Sequence, residues 1–337
     1  MERENIDISF SAIYKIILLI ISLYFLYLLK DLIVWVIFGV IISIVANFFI
    51  DFLERKKIPR IIAAILIYVG SFSLIGVLLW KSGPIIEKEI LQIIDNLPIY
   101  LNQLSPLFKM FGINVNFLHK LLYPDPSNFE KIGQSAFLAL SAIFGNISWT
   151  IFTITLAFFL SLQKDIFVNL ISLILPEKYK ERLILLWRKS EQKVIEWFLV
   201  RIISCIFLAV SVYIVLYIFQ VRYSFLLAIL AGILDFVPYL GGIFAGVLIF
   251  FTGLIDSPLK AIFSIISFIA LQIIQNNIFS PLFFRKIMNI SPSLVLLSLV
   301  VGERLWGPLG AVLAIPLLGI LSEFLKEYFL AKNISQN

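Results

Sequence analysis

Long apolar runs constrain this chain more than any other feature of its sequence. A helix crosses the ~30 Å hydrocarbon core of a bilayer with about 20 apolar residues. Eight runs approach or exceed that length, although the first is short: Ile16–Leu29, Leu32–Ile50, Ile61–Trp80, Ala136–Leu162, Trp197–Phe219, Tyr223–Ile255, Leu259–Ser280 and Leu294–Leu325. They do not alternate as barrel strands do. The runs predict an all-α integral membrane protein with about eight transmembrane helices, two of the C-terminal ones broken by glycine and proline.

The composition excludes a water-soluble globule. Hydrophobic residues make up 61% and charged residues 14% of the chain, which is too little polar cover for a soluble surface. With one histidine, His119, and one cysteine, Cys205, the sequence predicts no metal site and no disulfide framework. We expect no cofactor. The net charge of +6 is spread between the apolar runs, which argues against a nucleic-acid partner.

The distribution of Lys and Arg predicts the orientation. If eight helices alternate across the membrane, the larger share of these residues lies on the side of the N-terminus. The excess predicts both termini in the cytoplasm, with Arg222 outside and Lys260 inside. The acidic residues Glu2, Glu4 and Asp7 argue against a cleavable signal peptide. The first helix is therefore expected to remain in the protein.

The spacing of the runs divides the chain into five parts. They are a three-span scaffold (1–82), an extracytoplasmic amphipathic region (83–135), a fourth span with a cytoplasmic connector helix (136–196), a transport core (197–325) and a cytoplasmic tail (326–337). Pro98, Pro106 and later prolines predict that the extracytoplasmic region is cut into short pieces. This region is expected to lie on the membrane or cap the bundle, and a gating lid is the alternative.

One charged residue interrupts the sixth run. Asp235 precedes Pro238, Gly241 and Gly242, which interrupt a helix and free backbone groups for a solute. Ionisable residues at membrane depth cost about 2.5–3.5 kcal/mol, so they are candidates for function. Burial favours the neutral carboxyl, which makes Asp235 our candidate for a proton-coupling residue. The alternative is a proline kink with Asp235 at the interface or paired with Arg201.

A cluster of amides ends the seventh run. Gln272, Gln275 and Asn276 share one helix face, followed by Asn277 and Pro281. Amides both donate and accept hydrogen bonds. They suit a polar solute path and equally the contacts between helices.

Small residues and two charges break the eighth run. Glu303 and Arg304 are expected beside the solute path, and four flanking residues are expected to act as hinges or packing sites: Gly302, Gly307, Gly310 and Pro316. A weak echo links residues 240–245 with residues 309–314. Chance is the simpler explanation, because an inverted repeat would require one segment to be a re-entrant hairpin.

Together these motifs resemble the bacterial autoinducer-2 exporter family. The carrying residues are Asp235-Phe-Val-Pro-Tyr-Leu-Gly241, Gln272-x-x-Gln275-Asn-Asn277-x-x-x-Pro281 and Gly302-x-x-x-x-Gly307-x-x-Gly310-x-x-x-Ala314-x-Pro316. Phe52-Leu-Glu-Arg55, Ile58-Pro-Arg60 and Leu175-Pro-Glu-Lys178 extend the resemblance over nearly the whole chain. Gly242, where a second proline is common, and the charges at Glu303 and Arg304 depart from the family pattern.

The resemblance implies a multi-pass protein of the bacterial inner membrane that exports autoinducer-2 or, in some members, exchanges cations for protons. We expect a secondary transporter, not an enzyme, whose partners are the lipid bilayer and a small polar solute or monovalent cation. A sodium or lithium/proton antiporter and a non-transporting scaffold or regulatory subunit are the alternatives. Glycine-rich helix faces also permit a homo-oligomer.

Overall fold

The computed structural model describes residues 10–110, 147–279 and 291–334, and in these ranges the regular secondary structure is helical. The helices are α1 (Phe10–Leu28), α2 (Lys30–Arg55), α3 (Arg60–Met110), α4 (Ile147–Leu162), α5 (Ile166–Ile174), α6 (Glu177–Ile218), α7 (Ser224–Leu234), α8 (Leu240–Asp256), α9 (Pro258–Ile274) and α10 (Pro292–Ile334), and a π-helical segment (Gln275–Phe279) continues α9. By length and apolarity, α2, α3, α6 and α9 can cross a membrane, and α4 with α5, bent by 78°, can form a fifth span. The all-helical membrane class predicted from the sequence is thereby confirmed.

Helix α3 runs without interruption for 51 residues. It continues past the end of the predicted third span and through Pro98 and Pro106, so the prediction of short pieces is wrong as far as Met110. The rest of region 83–135 lies outside the described residues. A proline removes a single backbone donor, and the packing of Ile86, Ile93 and Tyr100 against the core compensates for that loss.

Helix α6 joins the predicted connector to the predicted fifth span. The boundary expected between residues 196 and 197 falls inside this helix of 42 residues. Leu186, Val194 and Trp197 are buried on both sides of that boundary. One apolar stripe therefore continues from the charged half of α6 into its apolar half, so the helix has no reason to break at residue 196.

Helices α7 and α8 form a hairpin that returns to the end where it began. The Arg222 Nε lies 2.9 Å from the Asp256 Oδ1, and the Arg222 backbone N–H donates to the Asp256 Oδ2 at 3.0 Å. The Lys260 Nζ donates to the Gln220 carbonyl oxygen at the same end. With 11 residues, α7 reaches about 16 Å, half of a bilayer core. Residues 223–255 therefore turn back and do not form a single span. The prediction that one span separates Arg222 from Lys260 is wrong, because both residues lie at the same end of the hairpin.

Helix α10 reverses direction at Trp306 and Gly307, whose backbone angles are not helical. The Gly302 carbonyl oxygen lies 2.1 Å from the position that a Cβ would occupy at Gly310, a proximity that a straight helix forbids. The second arm then reaches an ion pair between Glu323 and Lys193. Because Lys193 lies in the N-terminal half of α6 and Arg222 follows its C-terminus, the two hairpins enter from opposite ends.

The tip of the first hairpin packs against the arms of the second hairpin beside α6. Phe236 and Val237 from the first tip pack in one cluster with Trp197, Leu299 and Ile315. The two echoing segments, 240–245 and 309–314, each begin the return arm of a hairpin. Gly241 and Gly310, at equivalent positions of the two segments, each lie where the backbones of the two arms approach closely.

Candidate functional site

A short turn at the first hairpin tip positions Asp235. Helix α7 ends at Leu234, and the Leu240 and Gly241 backbone N–H groups donate to the Pro238 and Val237 carbonyl oxygens at 2.7 and 3.0 Å. Tyr239 adopts a φ of 64°, a left-handed conformation that is uncommon for a non-glycine residue. Such strain persists where surrounding contacts fix the backbone, as they do at this tip.

Asp235 is buried and paired. Its side chain accepts a hydrogen bond from the Gln275 Nε2 at 2.6 Å and lies 3.7 Å from the Arg201 Nη1. The same Arg201 nitrogen donates to the Asp235 carbonyl oxygen at 3.1 Å. The sequence analysis gave pairing of Asp235 with Arg201 as the alternative, and this pairing is present. The paired carboxyl group lies at the tip of the first hairpin.

The amide side chains at the end of α9 have two different environments. Gln275, which is 1% exposed, holds Asp235, whereas Gln272 and Asn276 line the cavity. Asn277 is exposed, and Pro281 lies outside the described residues. The π-helical segment begins at Gln275, and segments of this kind are frequent at functional sites.

A cavity of about 1090 Å³ adjoins this polar group. It extends between α6, α8 and α9, with further contributions from Val295 and Ile315 of α10. Among the predicted residues, Asp235, Pro238 and Gly242 are also in its wall. Gly242 has a steric role, because a Cβ there would lie 3.1 Å from the Gln272 Nε2. Its lack of a side chain leaves room for the glutamine.

The second hairpin contributes to the fold more than to the cavity wall. Gly302 and Gly310 are buried where the two arms meet, Gly307 supplies a φ of 65°, and Pro316 is fully buried. Glu303 and Arg304 have exposed side chains and are not among the residues of the cavity wall. The structure therefore brings Asp235 together with Gln272, Gln275 and Asn276, but it does not bring the two charges of α10 to them.

Several contacts at the base of the first hairpin were missed by the sequence reasoning. Glu89 of α3 accepts a hydrogen bond from the Leu226 backbone N–H at 2.8 Å, and the Tyr100 and Tyr223 hydroxyls are 2.7 Å apart. Helix α7 has no cap from its own N-cap residue, Tyr223. Glu89 therefore caps α7 from another helix. In the sequence, Glu89 is only one acidic residue of an amphipathic stretch, and this pattern does not predict which helix it contacts.

Loss of this cap is expected to loosen the hairpin. Glu89→Ala should lower the free energy of unfolding by about 1 kcal/mol, because an N-cap acceptor is worth about that much. Thermal unfolding of the purified protein measures the effect. Glu87→Ala on the same helix is the matched control, because Glu87 is exposed, and it should leave the midpoint unchanged. Equal midpoints for the two variants would contradict the capping role.

Comparisons with known proteins give matches over most of the chain. A family model described as AI-2E family transporter matches residues 16–330. The putative transport protein YueF of Bacillus subtilis is 28% identical over 81% of this chain and 78% of its own length. The putative transport protein YrrI of the same organism is 22% identical over 87% and 85% of the two chains. The AI-2 transport protein TqsA of Escherichia coli is 22% identical over 88% and 86%.

Proposed function

Because this chain belongs to the AI-2E family of transporters, we propose that it is a secondary transporter that exports a small organic solute with polar groups. A multi-pass location in a bacterial membrane follows from the family and the apolar helices. Autoinducer-2 is the first solute to test, since TqsA carries that name. We place the protein in the inner membrane.

The observation that carries this proposal is the buried polar group beside the cavity. Asp235, Arg201 and Gln275 meet at the tip of a hairpin. From the length of α7, about 16 Å, we infer that this tip lies near the middle of the bilayer. Interrupted helices at this depth give transporters their solute sites. Burying a carboxyl group at this depth is costly, and such residues usually mark a site of function, which favours a transporter over a scaffold.

We further propose that Asp235 couples transport to protons. Gln275 and Arg201 contact the Asp235 carboxylate. When a solute enters or leaves the adjoining cavity, the polarity around this carboxylate changes. A solute that favours the neutral carboxyl draws a proton onto Asp235, and its release returns the proton.

Flux in proteoliposomes that contain an internal pH dye tests the proposed function. We expect proton movement that depends on the protein when a gradient of autoinducer-2 is imposed. Gradients of Na⁺ and Li⁺ without organic solute should give no response. A response to Na⁺ or Li⁺ alone would favour the antiporter. The absence of flux with all three would contradict transport of these solutes and favour the scaffold.

The hairpins also revise the proposed topology. We propose that α1, α2, α3, α4, α6 and α9 cross the membrane, while α7–α8 enters from outside and α10 from the cytoplasm. Both termini remain cytoplasmic in this arrangement. Lys260 joins Arg222 on the outside, and the Lys193–Glu323 ion pair lies inside.

Cysteine labelling distinguishes this topology from eight simple crossings. In a Cys205→Ala background, we expect Ile218→Cys and Leu259→Cys to react with an impermeant maleimide from the same side. Both side chains are exposed. Gln192→Cys, also exposed, should react only from the opposite side. Labelling of positions 218 and 259 from opposite sides would contradict the hairpin and show that residues 223–255 cross the membrane once.

A further inference from the structure

Two buried donors at the polar end of the cavity lack acceptors. Among the described residues, the Arg201 Nε makes no hydrogen bond, and the Gln272 Nε2 has no hydrogen-bond acceptor within 3.5 Å, although Gln272 also interacts with the Asp235 carboxylate. Both side chains are in the cavity wall. A buried donor without an acceptor loses its hydrogen bonds to water and gains none in return, which is unfavourable. A group that supplies an acceptor oxygen at this end would remove that cost.

The rest of the wall is mostly apolar. It includes Val200, Phe250, Ile265, Phe268 and Ile315. A wall of this kind gains free energy from a hydrocarbon surface and little from hydroxyl groups. The cavity, at about 1090 Å³, is also larger than a small sugar-like solute requires.

We propose that the cavity binds an amphipathic solute, whose oxygen head accepts hydrogen bonds from Arg201 and Gln272 and whose hydrocarbon body lies against the aromatic and aliphatic wall. This inference rests on the proposed function and narrows its solute class. It predicts that autoinducer-2, which has little hydrocarbon, is bound more weakly than a molecule with such a body.

The opening of the cavity fits entry from the bilayer. Ile243, Val247, Ile269 and Ile273 line it and are exposed apolar side chains. A hydrocarbon body partitions into the membrane and reaches this side directly. A phospholipid does not satisfy the two donors, because its oxygen atoms stay near the interface, whereas α7 carries the polar end about 16 Å inward.

The polar end does not suit a bare cation. The Asp235 carboxylate is also in the wall, but Arg201 balances its charge. Both unpaired groups that face the cavity are N–H donors, whereas Na⁺ and Li⁺ require several oxygen ligands. The Gln275 Oε1 is also unpaired, but Gln275 is not among the residues of the cavity wall. The donors therefore select for an acceptor and against a cationic head.

Binding of radiolabelled decanoate to the full chain in nanodiscs tests the proposal, with empty nanodiscs subtracted for partition into lipid. Unlabelled decanoate and decanol should displace the label at least tenfold more effectively than decyltrimethylammonium, which has the same chain but no acceptor. Acetate, which lacks the hydrocarbon body, should be at least a hundredfold weaker. Equal displacement by the ammonium compound, or by acetate, would overturn the proposal.

A donor-deletion variant tests the named contact. Gln272→Met keeps the length of the side chain and should weaken decanoate binding about tenfold, whereas Gln192→Met, at an exposed position of α6, should not change it. Unchanged binding to Gln272→Met would contradict the assignment of the head group. If the variant does not fold, the head-group comparison in the wild-type protein decides alone.

The outcomes separate this inference from the proposed function. Protein-dependent flux of autoinducer-2 without decanoate binding would overturn the amphipathic solute and leave the transporter intact. Specific decanoate binding without flux of decanoate or autoinducer-2 would support the binding site and contradict transport. The absence of both would overturn both.

Discussion

Replacing Gly241 by alanine is expected to destroy the first hairpin. A Cβ at this position would lie 1.8 Å from the Leu234 carbonyl oxygen and 2.9 Å from the Asp235 backbone nitrogen. Both atoms belong to the backbone of the tip, so no side chain can move aside. Overpacking by a methyl group costs typically 1–3 kcal/mol even where neighbours adjust. We expect a loss of at least about 3 kcal/mol in the free energy of unfolding.

Thermal unfolding in detergent and flux in proteoliposomes measure this effect together. Gly70→Ala is the matched control, because a Cβ at that position of α3 meets nothing within 4 Å. Alanine is the better helix former by about 1 kcal/mol, so the control should be as stable as wild type or more stable. A Gly241→Ala protein with wild-type stability would show that the two arms are not packed as described.

The second large effect is expected for Asp235→Asn. The substitution keeps the shape of the side chain but removes the negative charge and the carried proton, so solute-driven proton movement should fall at least about a hundredfold. It also leaves the Arg201 guanidinium, whose side chain is 19% exposed, without its counter-charge. Removing one partner of a buried ion pair costs about 3–5 kcal/mol, so a lower unfolding midpoint is expected as well.

A double variant separates coupling from folding. Asp235→Asn with Arg201→Gln removes both charges, so stability should recover in part while proton movement stays absent. Asp31→Asn is the control for a general effect of lost charge, because Asp31 is exposed, and its flux should equal that of wild type. Unchanged proton movement in Asp235→Asn would reject the coupling role, even if the protein remains a transporter.

The site was partly visible in the sequence because polar residues are rare in apolar runs. Asp235, Gln272 and Gln275 stood out for that reason, and the structure brings them together. Glu303 and Arg304 stood out by the same argument but are exposed. The aromatic wall gave no signal, since Phe250 and Phe268 resemble every other apolar residue of the chain. Polarity in an apolar run marks a candidate, but it does not show which way the side chain points.

The sequence by itself determined the membrane class, the helical secondary structure and the family, because these follow from apolar length and from the order of short motifs. Only the tertiary structure decided that residues 223–255 turn back instead of crossing. A run of that length suits a tilted span or a hairpin equally, since hydropathy reports which residues avoid water and not the direction of the chain. The choice depends on contacts between distant residues, Arg222 with Asp256 and Glu89 with Leu226, and on the close approach of Gly241 to Leu234.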